Sequence, residues 1–435
     1  MAVDFSLLPS EETFEEKPPS WRLWVVLFVV AVLAGVAAVL LVWPDGMPTD
    51  TWRFWATLIL FPVAMPAFVV LRRLSRHESN RLDAEMRNAA VVAFKEQVFS
   101  AASIPLALIG AAHRFSADSS QNAADGVRSG TLRLKTQKPV AYDTAPVKAR
   151  WFDVAGVPME PGTINADFKR ASLLTPWLLD QLLAELAPRI EALPLAVPLD
   201  VRLHVVNALQ LEQNRRLWDE CWGARFARPA SVETPALPDD LMALDRWLDG
   251  LLAGGEPRAT LFVSVQLRPV LHASLPDGSA EAGVAVLLMP DALARKHGIH
   301  RAASLHRPVR GLAMEPQEAF SRALRWAGIG AGELAGAWQA GLDASQVGAL
   351  RQTAMKLGMA FHATDLDQTV GHAGVAAGWL ALSCAAATLT DATAKQVVMA
   401  GQGTSVDCAV MRRDNLAHGV PDTEPSRNDC HDQTL

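Results

Sequence analysis

The chain has 435 residues, half of them hydrophobic and a fifth charged, with a formal net charge of −6 at pH 7. That balance fits a folded protein with a sizeable core and excludes a fibrous or wholly disordered chain. Lys and Arg form no basic stripe of the kind that neutralises phosphates, so nucleic acid is not an expected partner.

Residues 1–20 form a polar N-terminal segment with an acidic run, Glu11, Glu12, Glu15 and Glu16. Between Arg22 and Asp45 the run Leu23–Pro44 carries no charge. As a helix rising about 1.5 Å per residue, it is long enough for about 30 Å of hydrocarbon. Trp21 and Trp24 stand at one end and Trp43 at the other, where amphipathic rings favour the headgroup zone. A second uncharged run, Phe54–Leu71, carries Trp55 near its start and contains Pro62 and Pro66, which a membrane helix tolerates when neighbours satisfy the freed carbonyls. Residues 21–71 are therefore expected to be a transmembrane helical hairpin.

The connecting loop holds Asp45 and Asp50 against Arg53, whereas Arg72, Arg73, Arg76 and Arg81 follow the second run. By the positive-inside rule both termini and the bulk of the chain are expected in the cytoplasm, in a two-span protein of a bacterial inner membrane. The competing expectation, a cleaved signal peptide, fits poorly: the leading segment is acidic, the apolar core is long, and a second span follows at once.

Residues 72–103 place Leu82, Met86, Ala90, Val91, Phe94 and Val98 at helical spacing among charges, which predicts an amphipathic juxtamembrane helix acting as a stalk. From 104 to 412 short apolar runs alternate with amphipathic helices, the pattern of an α/β domain with a largely buried sheet. The clearest strands are Val201–Val206, Thr260–Leu267, Gly283–Met289 and Val406–Met411. The expected helices are Leu174–Leu193, Asp239–Leu252, Pro316–Trp326 and Ala344–Leu357. Residues 413–435 are polar and aperiodic, and are expected to be disordered.

Cys221, Cys384, Cys408 and Cys430 lie far apart and lack the C-x-x-C spacing of zinc or redox sites. His297, His300 and His306 have spacing compatible with a metal, but Arg295, Lys296 and Arg301 surround them, and a basic loop is the better reading. Ser264 lacks the G-x-S-x-G elbow, and Gly254-Gly255 lacks the Lys-Ser/Thr that completes a P-loop. No cofactor or metal is expected.

Several segments carry a likeness in their order. Leu241–Glu256 followed by Thr260–Leu267 looks like a helix and strand behind a nucleophile. Gly283–Met289 looks like a strand of small and aliphatic residues, and Ala319–Gly328 with Ala331–Leu334 like a helix and turn leading to a histidine. Val370–Trp379 matches G-H-x-x-x-A-A-G in its spacing, and Gly401–Ser405 looks like a terminal Gly-rich loop. Together they resemble the β-ketoacyl synthase branch of the thiolase-like superfamily, most closely over Asp239–Met411. The resemblance implies a layered αβαβα domain of two similar halves and a homodimer.

It also implies a nucleophilic Cys with two histidines. Here the nucleophile position falls near Leu237 or Pro238, and the first histidine position near Ala340. Asp367 stands at the family's lysine, and His372 is the surviving histidine. Such a site is degenerate, and condensation is not expected of it. His372, Gly371, Gly401 and Gly403 are then a pocket remnant that holds loops together, with an acyl-binding pocket as the alternative. The layout also resembles the lipase-effector adaptor family of bacterial type VI secretion, through arrangement and not through a short motif.

The reading that follows is a non-catalytic, inner-membrane-anchored adaptor for a protein partner, a secretion component or effector. Two alternatives stand beside it. One is an acyl-transfer or lipid-metabolism enzyme with a displaced residue such as Cys221 or His372. The other is a structural membrane subunit packing through Ala31, Gly35 and Ala38.

Overall fold

A computed structural model describes residues 8–13, 20–44, 47–141, 145–235, 239–359 and 363–413. The chain divides into two compact units, Val3–Ala101 and Ala102–Leu435. Asp45, the nucleophile position near Leu237 and Pro238, Cys430 and the tail from 414 lie outside the described residues.

In the first unit α1 spans Trp21–Val42 and α2 spans Trp52–Ala102. Both are long and apolar enough to cross a membrane. No residue of α1 is buried, although it is apolar on every face. A helix hydrophobic all round needs an apolar surrounding. Within the pair, a Cβ on Gly35 would lie 2.9 Å from the Pro62 Cβ, so this small residue already serves contact inside the hairpin. Trp43 meets Phe54 edge to face at 4.9 Å across the turn.

Pro62 and Pro66 do not interrupt α2, whose 51 residues include the expected span and stalk in one element. The predicted amphipathic face is not where burial occurs. Leu82, Met86 and Phe94 are exposed, while Ala84 and Phe99 are buried. The acidic leading segment lies against the stalk instead. Glu12 and Asn88 exchange two hydrogen bonds at 2.8 and 2.9 Å, Glu12 pairs with Arg87, and Glu11 with Lys95.

The second unit opens with β1 (Leu106–Arg114), the short α3 (Ala124–Arg128), and the two-residue β2 (Thr136–Gln137) and β3 (Val147–Lys148). Then come α4 (Ile164–Glu191), β4 (Leu199–Val206), α5 (Leu211–Arg225), β5 (Ser231–Glu233), α6 (Met242–Leu252), β6 (Ala259–Gln266) and β7 (Ala282–Pro290). The later part holds α7 (Asp291–Lys296), β8 (Ala303–Leu305), β9 (Val309–Leu312), α8 (Gln317–Ala327), β10 (Gly336–Ala340) and α9 (Ala344–Lys356). It closes with β11 (Ala363–Asp365), α10 (Leu366–Thr369), α11 (Ala377–Ala387), β12 (Lys395–Gln402) and β13 (Ser405–Arg412).

The four strands and four helices read from the sequence are present within a few residues, except that α4 begins ten residues early. Its first turns bury Asp167 and Arg170, so charge hides the inward face there, and Pro176 sits inside the helix. Gly401 lies on β12, and the turn before β13 is confined to Gly403-Thr404, which corrects the Gly401–Ser405 loop.

Pairing repeats itself. β5, β4 and β6 run parallel, and β7 is antiparallel to both β6 and β1. Likewise β11, β10 and β12 run parallel, and β13 is antiparallel to β12 and to β8 and β9. β8 joins the halves, Leu305 pairing with Leu106 on one side and Met411 on the other.

Because strand side chains alternate between faces, each half has an inner and an outer core. Leu106, Leu108, Val284, Val286, Val398, Ala400, Ala409 and Met411 pack with α6 and α11 in one cluster drawn from both halves. Ala107, Ile109, Ala285, Leu287 and Met289 face the other way, against α4 and α5. With α8 and α9 covering the second half's outer face, the layers run αβαβα.

The segment between β1 and α4 is clamped by a buried ion pair. Glu281 is wholly buried and receives Arg170 through two hydrogen bonds of 2.8 Å, plus the backbone N–H groups of Phe152 and Arg268. All its strong acceptor positions are engaged, which offsets the loss of water. Arg170→Met leaves that carboxylate without its cation, and the chain should lose about 3–5 kcal/mol in urea unfolding. The double variant Arg170→Met/Glu281→Gln should recover part of the loss.

Candidate functional site

Four segments carry the residues singled out by the sequence: the start of α6, the end of β10, the loop from α10 to α11, and the β12–β13 hairpin. At the start of α6, Asp239 is 7% exposed, and its carbonyl accepts the Trp379 indole N–H at 2.6 Å, tying α11 to α6. Its carboxylate lies 3.5 Å from Arg202 and 3.5 Å from Arg246. Arg310 bridges Asp240 at 2.5 Å to the wholly buried Asp407 at 2.6 and 2.8 Å. Burial pushes the Asp239 and Asp407 carboxyls up, and the neighbouring guanidinium groups oppose it. The network's charges are directed at one another.

At the end of β10, Ala340, the expected first-histidine position, is a buried strand residue, and the backbone turns just after it. Gly341 has a φ of +71°, and its N–H donates to Asp367 Oδ2 at 2.6 Å. Asp367, which the resemblance sets where a lysine is expected, thus serves as a cap for this turn. On its other side Asp367 lies 3.6 Å from His372 Nδ1.

The His372 side chain is half exposed, and its backbone makes the structural contacts. Its N–H donates to Gly278 O at 2.7 Å, and its carbonyl accepts from Ala280 N at 3.0 Å. Gly371, at a φ of +108°, lets this crossing happen: a Cβ there would meet the Ala280 Cβ at 2.9 Å. Gly401 faces a tighter approach, since its Cβ would lie 1.9 Å from Gly341 O. His372, Gly371 and Gly401 are therefore linked through Asp367 and Gly341. Gly403 lies at the hairpin turn, and its carbonyl accepts Gln346 Nε2 at 2.7 Å.

Among the described residues the thiols lie elsewhere. Cys221 sits on α5 in an outer layer, 3.7 Å from Pro176 O, and burial pushes its thiol up, away from the thiolate. Cys384 and Cys408 are fully buried and pushed up further. Ser264 donates to Val375 O at 3.1 Å, a core hydroxyl on β6. The described residues hold no group of three or more His, Cys, Asp or Glu suited to a metal ion.

Sequence reading missed His113, which sits on β1 against α11. Its Nδ1 is 2.9 Å from Ser383 Oγ and its Nε2 is 2.9 Å from Asn122 O. A carbonyl only accepts, so Nε2 carries the proton and Nδ1 receives the hydroxyl, a neutral ring. Burial holds its pKa down at about 4. It missed the Asp240–Arg310–Asp407 network as well, because ion pairs distant in sequence leave no local signal.

Two tests follow from this geometry. Gly401→Ala forces a Cβ into a backbone carbonyl and should cost about 1–3 kcal/mol or more in unfolding free energy. His113 has a folded pKa below its unfolded value near 6.5, so the unfolded chain binds the extra proton between those values. Stability should therefore fall as pH drops from 6.5 to 4, by up to about 3 kcal/mol, and His113→Gln should flatten that slope in urea titrations.

No protein-family model and no curated protein matches the chain. Solved structures do. One is "AntDE:AntF (apo): type II PKS acyl-carrier protein in complex with its ketosynthase bound to the hexaketide", at a TM-score of 0.50 and 11% identity, covering 71% of this chain and 99% of that one. Another is "PfaC Keto synthase-Chain length factor", at 0.49 and 14%, covering 73% of this chain, which spans 44% of that protein's length. A third is human mitochondrial 3-ketoacyl-CoA thiolase, at 0.44 and 9%, covering 72% of this chain and 100% of that one. The first of these likenesses, at 11% identity, is one of fold. Taken with the repeated strand pairing and five layers, it gives the second unit a thiolase-like α/β fold.

Proposed function

We propose that this chain is an inner-membrane-anchored adaptor, whose thiolase-like domain docks a protein partner and carries out no condensation. The observation that carries the reading is the turn at Gly341. Where the resemblance implies a lysine stands Asp367, which accepts the N–H of Gly341, the residue after the implied histidine position. A carboxylate in place of a lysine reverses the charge there, and a negative group does not stabilise a carbanion.

The location of the thiols supports the same reading. A nucleophile needs thiolate character at an accessible position, and Cys221 is held as a thiol on an outer helix. The two apolar helices supply the anchor, and Arg72, Arg73 and Arg76 at the end of the second span favour a cytoplasmic domain. The partner expected from the layout is a secretion component or an effector of a type VI system. A homodimer is expected from the resemblance.

Capture from membranes with in-cell crosslinking and mass spectrometry tests the proposal. The double variant Cys221→Ala/His372→Ala should retain the wild-type partner profile and cellular phenotype. Loss of phenotype with partner capture intact, or an acyl adduct on a side chain of the purified protein, would establish the acyl-transfer enzyme instead. Deleting residues 21–71 should leave partner capture in solution, and its loss would favour a membrane subunit.

A further inference from the structure

The outer layer of the second half contains a cavity of about 270 Å³ that the proposed docking role does not use. Strand alternation creates it. On β10, Trp338 and Ala340 face the central helices, so Gln339 points outward, and on β12 Met399 does the same between Val398 and Ala400. Phe320 of α8 and Leu350 and Met355 of α9 complete the wall with Met359. The outward polar group is engaged, since Gln339 Nε2 donates to Asp365 at 3.0 Å. What lines the space is otherwise mostly aromatic, aliphatic and thioether.

Arg351 stands at the rim, exposed, and no ion pair or hydrogen bond engages its guanidinium among the described residues. A free guanidinium is a fork matched to a carboxylate. Methionines adapt to a flexible chain better than branched residues do. The volume lies just below the range of about 300–1,000 Å³ typical of drug-sized ligand sites, so the cavity suits a single aliphatic chain with its head outside.

We infer that this cavity binds a medium-chain aliphatic carboxylate, its tail among Phe320, Leu350, Met355, Met359 and Met399 and its carboxylate on Arg351. The site lies on the opposite face of the sheet from the His372 region. It stands independently of the adaptor reading.

The test uses the full chain in lipid nanodiscs, with empty nanodiscs as reference, titrated with octanoate and with 1-octanol, which shares the chain and lacks the charge. Wild type should bind octanoate about tenfold more tightly than octanol, and Arg351→Gln should remove that difference. Ala354→Trp, which fills the space, should abolish binding of both. A diazirine-bearing octanoate should label peptides of α8 and α9, and less so in Ala354→Trp. Equal affinity of wild type for both ligands would overturn the inference, as would an unchanged octanoate affinity in Arg351→Gln. A crystal structure with residues 360–362 filling the cavity would overturn it too. Arg351 is exposed, so its variant keeps the test decisive if Ala354→Trp fails to fold.

Discussion

Two helices must share the narrow space between two sheet halves, and the domain depends on their doing so. Nine of the eleven residues of α11 are buried. That demands small side chains wherever a strand comes near: a Cβ on Gly378 would lie 3.0 Å from the Ala400 Cβ. Larger groups fill what remains, with Trp379 stacked on Phe262 at a centroid distance of 4.7 Å and its N–H spent on Asp239. This layer draws on both halves, so neither sheet has a complete inner core without it.

The polar chemistry around that layer follows from the same crowding. Carboxylates brought beside buried strands lose water, and each must find a cation or a backbone donor. Asp407 finds Arg310, Glu281 finds Arg170, and Asp367 finds the Gly341 amide. Each of these contacts ties together segments that lie apart in the sequence. The half-exposed His372 imidazole keeps some freedom, but its own backbone is what the fold uses.

The first unit meets a different constraint, with two helices long and apolar enough to cross a membrane. α1 has no buried residue in spite of its apolar composition. Gly35 against Pro62 shows the two helices sharing a close contact. α2 then continues beyond the apolar stretch without a break, and the acidic leading segment meets it through Glu11 and Glu12.

Local pattern alone determined a good deal here. Uncharged runs long enough for a bilayer, strands such as Thr260–Leu267, and helices such as Ala344–Leu357 depend on neighbours within a few residues, and those neighbours are written in order. Their succession also carried the thiolase-like resemblance. Only tertiary structure decided which charges meet, that Asp367 caps Gly341, that Gly401 belongs to a strand, and that α4 begins at Ile164 with Asp167 and Arg170 facing inward. It also decided that Met399 and Phe320 border a common cavity. Such contacts join residues tens to hundreds of positions apart, and their energies arise from burial and geometry that exist only once the layers have closed.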